Sequence, residues 1–487
     1  MLNHLNNHFN ETRTENGALT YKSTESAVLD LFSQGGAMRG RNDRDIVSLF
    51  SKAFAENQTL AMKTLFYLRD IRQGQGERNF FKLCLKHLAL HNRDSLVKNL
   101  HLIPQFGRWD DMWVLLETDV KRDVAKIVER QLVEDKKADN PSLLAKWMPS
   151  ENASSPVTKN YARILRATFG TTPKKYRQLL SALRAKLNLV ETKLTEGRYV
   201  DIAYDKLPSR AGMIYRGAFF RNDEFRYKSF LDSLEKGEVK VNAGTLYPND
   251  IVGKILGNSF YSRPTLSKQE IQLFEGQWNN LPNFIGDNVE DSIVMADVSG
   301  SMDGTPMNVS IALAMYIAER NKGAYHNHFM TFTDNPSMVK IQGSNIVDKI
   351  YNIKARVGYS TNIQKALQTV LDVAVKNRLS NDEILKKIYI ISDMEFDNYS
   401  IAGTSVHIFD EMKKRFKSQG YDFPNIVFWN VDARQSNSPM KMNDAGVQLV
   451  SGYSPSILTQ LLDSNGKTPY EFMLDVIDSE RYSEVVA

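Results

Sequence analysis

The chain has 487 residues, more than one hydrophobic core usually serves, so two or more domains are expected. With 42% hydrophobic and 24% charged residues it reads as globular rather than disordered, and no run approaches the 18 apolar residues of a membrane span. A lone cysteine, Cys84, excludes an internal disulfide, and the first residues lack a basic-then-apolar leader pattern, so a cytoplasmic location and no membrane partner are expected. The net charge of +5 is unevenly spread. Residues 1–285 hold 43 Lys and Arg against 32 Asp and Glu, an excess of +11, whereas residues 286–487 hold 19 against 25, or −6. A basic first part fits an anionic partner, and a solvated surface with a chance imbalance fits equally well.

Residues 1–22 are polar and rich in Asn and Thr, which predicts an extended arm. From Ser23 to residue 285 the periodicity is helical. Leu60, Met62, Leu65, Phe66 and Leu68 mark one helix, and Val124, Ile127, Val128, Leu132 and Val133 another. Tyr176, Leu179, Leu180, Leu183 and Leu187 mark a third. Gly- or Pro-bearing breaks at Gly74, Gly107, Pro149, Pro173 and Pro208 separate helices at the intervals of an irregular solenoid of HEAT type. Cys84 lies among Phe80, Phe81 and Leu88, the setting of a small buried hydrophobe.

Four polar clusters stand out in this region, and three of them mix cations with aromatic rings. Arg69, Arg72 and Arg78 surround Gly74 and Gly76, in what reads as a tight helix–helix turn with exposed guanidinium groups. A nucleotide loop is excluded there, because no apolar strand precedes it and no Gly-Lys-Ser/Thr ending follows. Arg108 stands beside Trp109, Lys146 beside Trp147, and Lys174, Lys175 and Arg177 surround Tyr176. Such mixtures suit single-stranded RNA, which needs its phosphates neutralised and its unstacked bases stacked. Equally, Trp109, Trp113 and Trp147 suit a core, with the charges as caps and surface pairs.

A Pro/Gly/Asn-rich piece from Asn280 to Asn288 marks a boundary, and residues 286–487 then alternate strand and helix. Ser292–Ala296 is a buried parallel strand that ends on Asp297-Val298-Ser299-Gly300-Ser301. A carboxylate and two hydroxyls leaving a strand end at alternate positions offer the hard oxygens that Mg2+ prefers. A helix follows from about Pro306 to Arg320, then a strand from His326 to Phe332, which places His326 and His328 on one face. That pair is either a metal fragment or an ordinary satisfied pair. Another apolar strand, Ile388 to Ser392, ends on Asp393, with Glu395 and Asp397 close behind as either site groups or solvated loop charges. Further elements are a helix over Val406–Phe416, strands at Ile426–Trp429 and Val447–Val450, and closing helices over 455–482. Together they predict a doubly wound Rossmann-like sheet.

The D-x-S-x-S element resembles the metal-ion-dependent adhesion site of von Willebrand factor A domains. That resemblance implies that Thr361, in the loop Gly358-Tyr359-Ser360-Thr361-Asn362 entering the next helix, and Asp393 complete a metal set of Asp297, Ser299, Ser301, Thr361 and Asp393. The set would hold Mg2+, or another divalent ion such as Mn2+ or Ca2+. With Leu68–Arg78, the Gly107-Arg108-Trp109-Asp110-Asp111 box and Lys146–Asn152, the chain is similar to the Ro ribonucleoprotein (TROVE-domain) superfamily in its bacterial and phage branch. This implies an α plus α/β architecture, a ring-like HEAT-type solenoid over 23–285 closed by an A domain over 286–487. It also implies a non-catalytic ring that binds single-stranded or misfolded noncoding RNA as a scaffold or in RNA quality control. The RNA contacts would come from Arg69, Arg72, Arg78, Arg108, Trp109, Lys146, Trp147, Lys174, Lys175 and Arg177. The alternative is a metal-dependent protein-interaction scaffold whose partner donates a carboxylate to the ion. Hydrolysis is disfavoured, since neither a general base nor a second metal is assigned.

Overall fold

Residues 11–21 form a hairpin, β1 (Glu11–Arg13) paired antiparallel with β2 (Leu19–Tyr21). The structure, a computed structural model, describes residues 1, 5, 8–257, 264–287, 291–333, 335–355, 360–398 and 407–487. Residues 11–21 of the expected extended arm thus form a docked hairpin. Tyr21 and Ser438 exchange backbone hydrogen bonds at 3.0 and 2.9 Å, which ties the hairpin to the far end of the chain.

Helices follow: α1 (Ala27–Gly35), α2 (Asp43–Glu56), α3 (Gln58–Arg69), α4 (Arg78–His91), α5 (Arg93–Asn99), α6 (Lys121–Lys137), α7 (Pro156–Thr168), α8 (Pro173–Lys186), α9 (Ser209–Asn222), α10 (Glu224–Glu235), α11 (Pro248–Leu256) and α12 (Lys268–Asn279). Local chemistry starts them. Ser26, Asn42, Asn57, Ser155 and Thr172 each accept an orphan amide of the first turn, and Pro156 and Pro173 occupy the position where a missing N–H costs nothing. Cys84 is fully buried, and burial pushes its thiol up, as its apolar setting predicts.

The second unit is a six-stranded sheet of order β5-β4-β3-β6-β7-β8, with β3 (Ser292–Ala296), β4 (His328–Thr331), β5 (Met338–Lys340), β6 (Lys387–Ser392), β7 (Asn425–Asn430) and β8 (Val447–Ser451). All neighbours run parallel except β4 and β5. Helices α13 (Thr305–Arg320), α14 (Ile346–Lys354), α15 (Ile363–Asn377), α16 (Ile408–Ser418) and α17 (Pro469–Ile477) accompany it. The chain is therefore helix-rich α plus α/β, as expected. Every residue of β3, β6 and β8 is buried, as parallel strands covered on both faces require.

Two expectations change here. The strand expected from His326 begins only at His328, because Asn327 takes a left-handed φ of 59° and His326 binds the Asn321 carbonyl at 2.7 Å. The two imidazoles therefore do not share a strand face. Val406 lies outside the described residues, and the helix expected there runs from Ile408 to Ser418.

The helical unit meets the sheet unit at both of its ends. α1 packs on β8 and α17, and the Ser451 hydroxyl donates to the Phe32 carbonyl at 3.1 Å. At the other end α11 packs on α13, Asn308 donates to the Gly257 carbonyl at 3.0 Å, and the Trp278 indole donates to Glu319 at 2.7 Å. One continuous apolar cluster runs through both units.

Candidate metal centre

Strand order reverses between β3 and β6: the chain passes from β3 outward to β4, and from β6 the opposite way to β7 and β8. A crevice opens beyond strand carboxyl ends at such a point. The register of β3 and β6 pairs Ala296 with Ile391, and β6 runs on one residue to Ser392. They deliver Asp297 and Asp393 side by side, 2% exposed each.

A hydrogen-bond web holds the two carboxylates. The Ser392 hydroxyl donates to Asp297 Oδ2 at 2.7 Å and lies 3.4 Å from Asp393 Oδ1, while the Ser299 amide donates to Asp297 Oδ1 at 2.9 Å. The Ser301 hydroxyl donates to Asp393 Oδ2 at 3.2 Å, and Ser299 Oγ and Ser301 Oγ lie 3.0 Å apart. Met394 follows with a left-handed φ of 67°, an uncommon state for a side-chain-bearing residue, and its amide donates back to Ser392 Oγ at 3.1 Å. Ser299 is buried and Ser301 exposed, so the cluster opens to solvent on one side.

Four of the five expected ligands therefore converge directly. Thr361 joins through neighbours. Its amide donates to Asp397 at 2.6 Å and its hydroxyl to the Glu395 carbonyl at 3.3 Å. Gly358 and Tyr359, in the same loop, lie outside the described residues. Glu395 is no solvated loop charge. It is 1% exposed and accepts from Asn437 at 2.9 Å and from the Glu15 amide at 2.5 Å. Arg434, beyond the end of β7, donates to Asp393 Oδ2 at 2.8 Å. Glu15, Arg434 and Asn437 had no motif to announce them, though a residue just past a parallel strand's carboxyl end is a fair candidate on topology alone.

The donor set can be tested against a divalent ion. Among the described residues no group of three or more His, Cys, Asp or Glu gathers, so hydroxyl oxygens must share in holding one. Two carboxylates and three hydroxyls suit a hard cation and not a soft one. Burial, and then the nearby Asp393 charge, push the Asp297 carboxyl up to about 6. The site is thus short of positive charge, and the residues fit the ion. A raised folded-state value means that the ionised Asp297 destabilises the ion-free protein, fully so above pH 6 and no longer below about pH 4. Asp297→Asn is accordingly expected to stabilise the ion-free chain at pH 7, by about 1–3 kcal/mol. Thermal melts in EDTA check this, and a variant melting below wild type would reject it.

The residues expected to contact RNA are differently placed. Arg69 is a correction: its side chain is 2% exposed and its Nε and Nη2 bind Asp111 at 2.8 and 2.7 Å, so no phosphate reaches it. Arg78 pairs with Asp110 and Asp111, Arg108 with Asp110, Lys146 with Glu191 and Arg177 with Glu151. Trp147 carries the Arg108 guanidinium over one ring face at 4.1 Å, and Trp109 is half-buried against the core. Arg72 is exposed and donates to the Gln105 carbonyl at 2.5 Å, while Lys174 and Lys175 stand exposed at the start of α8. Among the described residues no helix is long and apolar enough to cross a membrane.

Fold and site together define an α plus α/β protein with an oxygen-lined crevice where its parallel sheet reverses order. The chain belongs to the family described as "Domain of unknown function (DUF2828)", which matches residues 14–142 and 142–288. Residues 291–484 match "Domain of unknown function (DUF7788)". The chain is also similar to "Uncharacterized protein L728" of Acanthamoeba polyphaga mimivirus, 31% identical over 510 residues, covering 96% of this chain and 87% of that protein.

Proposed function

We propose that the chain is a non-catalytic, divalent-cation-dependent binding protein, in which a von Willebrand A-type unit closes a Ro-like ring of HEAT-type helices. The observation that carries this reading is the gathering of Asp297, Ser299, Ser301 and Asp393 where the sheet reverses order, with Thr361 linked through the Glu395 carbonyl. Ser299, Ser301 and Thr361 would hold Mg2+, or Mn2+ or Ca2+, with Asp297 and Asp393 supplying the charge. When bound, the ion supplies an electrophilic position for a partner protein's carboxylate. The ring is supported by α1 on β8 and α11 on α13, which bring both ends of the helical unit to the sheet unit. Calorimetry with Mg2+ tests the reading. Wild type takes up one ion and Asp297→Ala none, and equal uptake by the two rejects it.

A second reading, binding of single-stranded RNA by the helical unit, is favoured by the first turn of α8. Lys174 and Lys175 are exposed there beside Arg177. The helix dipole disfavours cations at that end, so helix stability does not account for them. Each phosphate left without its cation should shallow the log–log salt dependence of affinity by roughly 0.7. Lys174→Ala with Lys175→Ala is therefore expected to weaken single-stranded RNA of every sequence alike and to shallow the slope by roughly 1.4, twice that value. Gel-shift titrations at several salt concentrations measure both. Binding without salt dependence, or equally tight binding of duplex, sinks this second reading.

A further inference from the structure

The turn of the β1–β2 hairpin packs beside the candidate metal centre, on the segment that follows Asp393, and contacts from several of its residues hold it there. The Thr14 hydroxyl donates to the Phe396 carbonyl at 2.7 Å, the Asn16 side chain to the Glu395 carbonyl at 2.6 Å, and Gly17 forms an antiparallel bridge with Asp397. These acceptors belong to the segment that runs on from Asp393, so the hairpin tip is registered against the centre and not merely near it.

Glu15 is the residue at that tip. Its amide donates to Glu395 Oε2 at 2.5 Å, and its own carboxylate turns the other way. Glu15 Oε2 lies 3.2 Å from Arg434 Nη2, and Glu15 Oε1 accepts from Gln435 at 2.8 Å. The same Arg434 nitrogen donates to Asp393 Oδ2 at 2.8 Å. One guanidinium nitrogen is therefore shared between a carboxylate of the centre and one brought from the opposite end of the chain. The Glu15 and Arg434 side chains are 40% and 32% exposed, so this contact sits at the surface, where ion pairs exchange readily for others. The strands behind the tip are only three residues each, a length that does not hold a hairpin by itself.

We propose that Glu15 is an internal competitor at the rim of the centre, and that a protein partner binds by presenting an acidic side chain that takes its place beside Arg434 and reaches the cation, lifting the hairpin tip. This rests on the metal-dependent reading above and names both the partner's chemistry and the step that controls access. The tip is a competitor of fixed local concentration, so removing its charge relieves competition without altering the ligands of the ion. The partner is an acidic protein segment and not RNA, because a continuous phosphate backbone would be repelled by the net-negative unit around the crevice, whereas a single carboxylate needs only the cation and Arg434.

The test uses the full chain, with Mn2+ and a peptide carrying a single glutamate between neutral glycines as probes. Glu15→Gln keeps the side chain's shape at an exposed position, and its Mn2+ affinity should stay within about twofold of wild type. In the presence of Mn2+, Glu15→Gln is expected to bind this single-glutamate peptide at least fivefold more tightly than wild type, and EDTA should abolish binding to both. In wild type the peptide should accelerate amide hydrogen exchange at residues 14–17. Equal peptide affinity of the two proteins, absence of peptide binding, or unchanged exchange at the tip overturns the proposal while leaving the metal reading intact, provided Mn2+ binds. If neither protein binds Mn2+, the metal reading fails and this proposal fails with it.

Discussion

Replacing Asp111 by alanine is expected to destabilise the chain by about 3–5 kcal/mol, as breaking one half of a buried ion pair does. Asp111 is fully buried at the head of the Trp109–Leu115 turn, where it accepts from Arg69 Nε and Nη2, accepts from Arg78 Nε at 3.1 Å and caps the Arg108 amide at 2.9 Å. Its removal leaves the Arg69 guanidinium in the core with its principal counter-charge gone. The double variant Arg69→Met with Asp111→Leu removes both charges, and is expected to recover most of the loss, since an apolar pair of similar volume is often close to neutral. Urea denaturation midpoints of the wild type, the single variants and the double variant give the coupling. A single Asp111→Ala as stable as wild type would show that the buried pair contributes little.

Adding Mg2+ should raise the melting temperature of wild type and leave that of Asp297→Ala unchanged. An ion that binds only the folded chain stabilises it by mass action, about 2.7 kcal/mol at one hundred times its dissociation constant. The gain is large here because the ion-free site carries two buried carboxylates against one partly exposed guanidinium. Ser299→Ala and Ser301→Ala each remove one oxygen and should give intermediate shifts. Differential scanning fluorimetry across a Mg2+ series decides it, and a shift of equal size in wild type and Asp297→Ala would assign the effect to some other site.

The sheet and its crevice were legible because a parallel strand covered on both faces must be apolar throughout, and its end is marked by the first polar residue. Asp297 and Asp393 announce themselves that way, and the hydroxyls of Ser299 and Ser301 follow within four residues. What escaped depends on partners far along the chain. Nothing in residues 11–21 reveals that Ser438 and Glu395 receive them, so a docked hairpin reads as a polar arm. β5 has three residues, only the middle one buried, too short for alternation to show. Arg69 lies in a Gly- and Arg-rich break that reads as exposed, and only its distant partner Asp111 lets it sit inside. Glu395 and Asp397 were ambiguous for the same reason: adjacency to a strand end is local, but the donors that bury Glu395 are not.

The seating of α1 on β8 has a consequence for how the protein is made. Val28, Leu29, Leu31 and Phe32 are fully covered in the finished molecule, partly by a strand that begins about 410 residues after α1 ends. At about 5–20 residues per second, a ribosome needs roughly 20–80 s to deliver that strand. For that interval this early helix presents an apolar face with its cover still unwritten. Nascent chains halted before Val447 should accordingly be bound by holding chaperones and cut by proteases near α1, whereas chains completed through β8 should escape both.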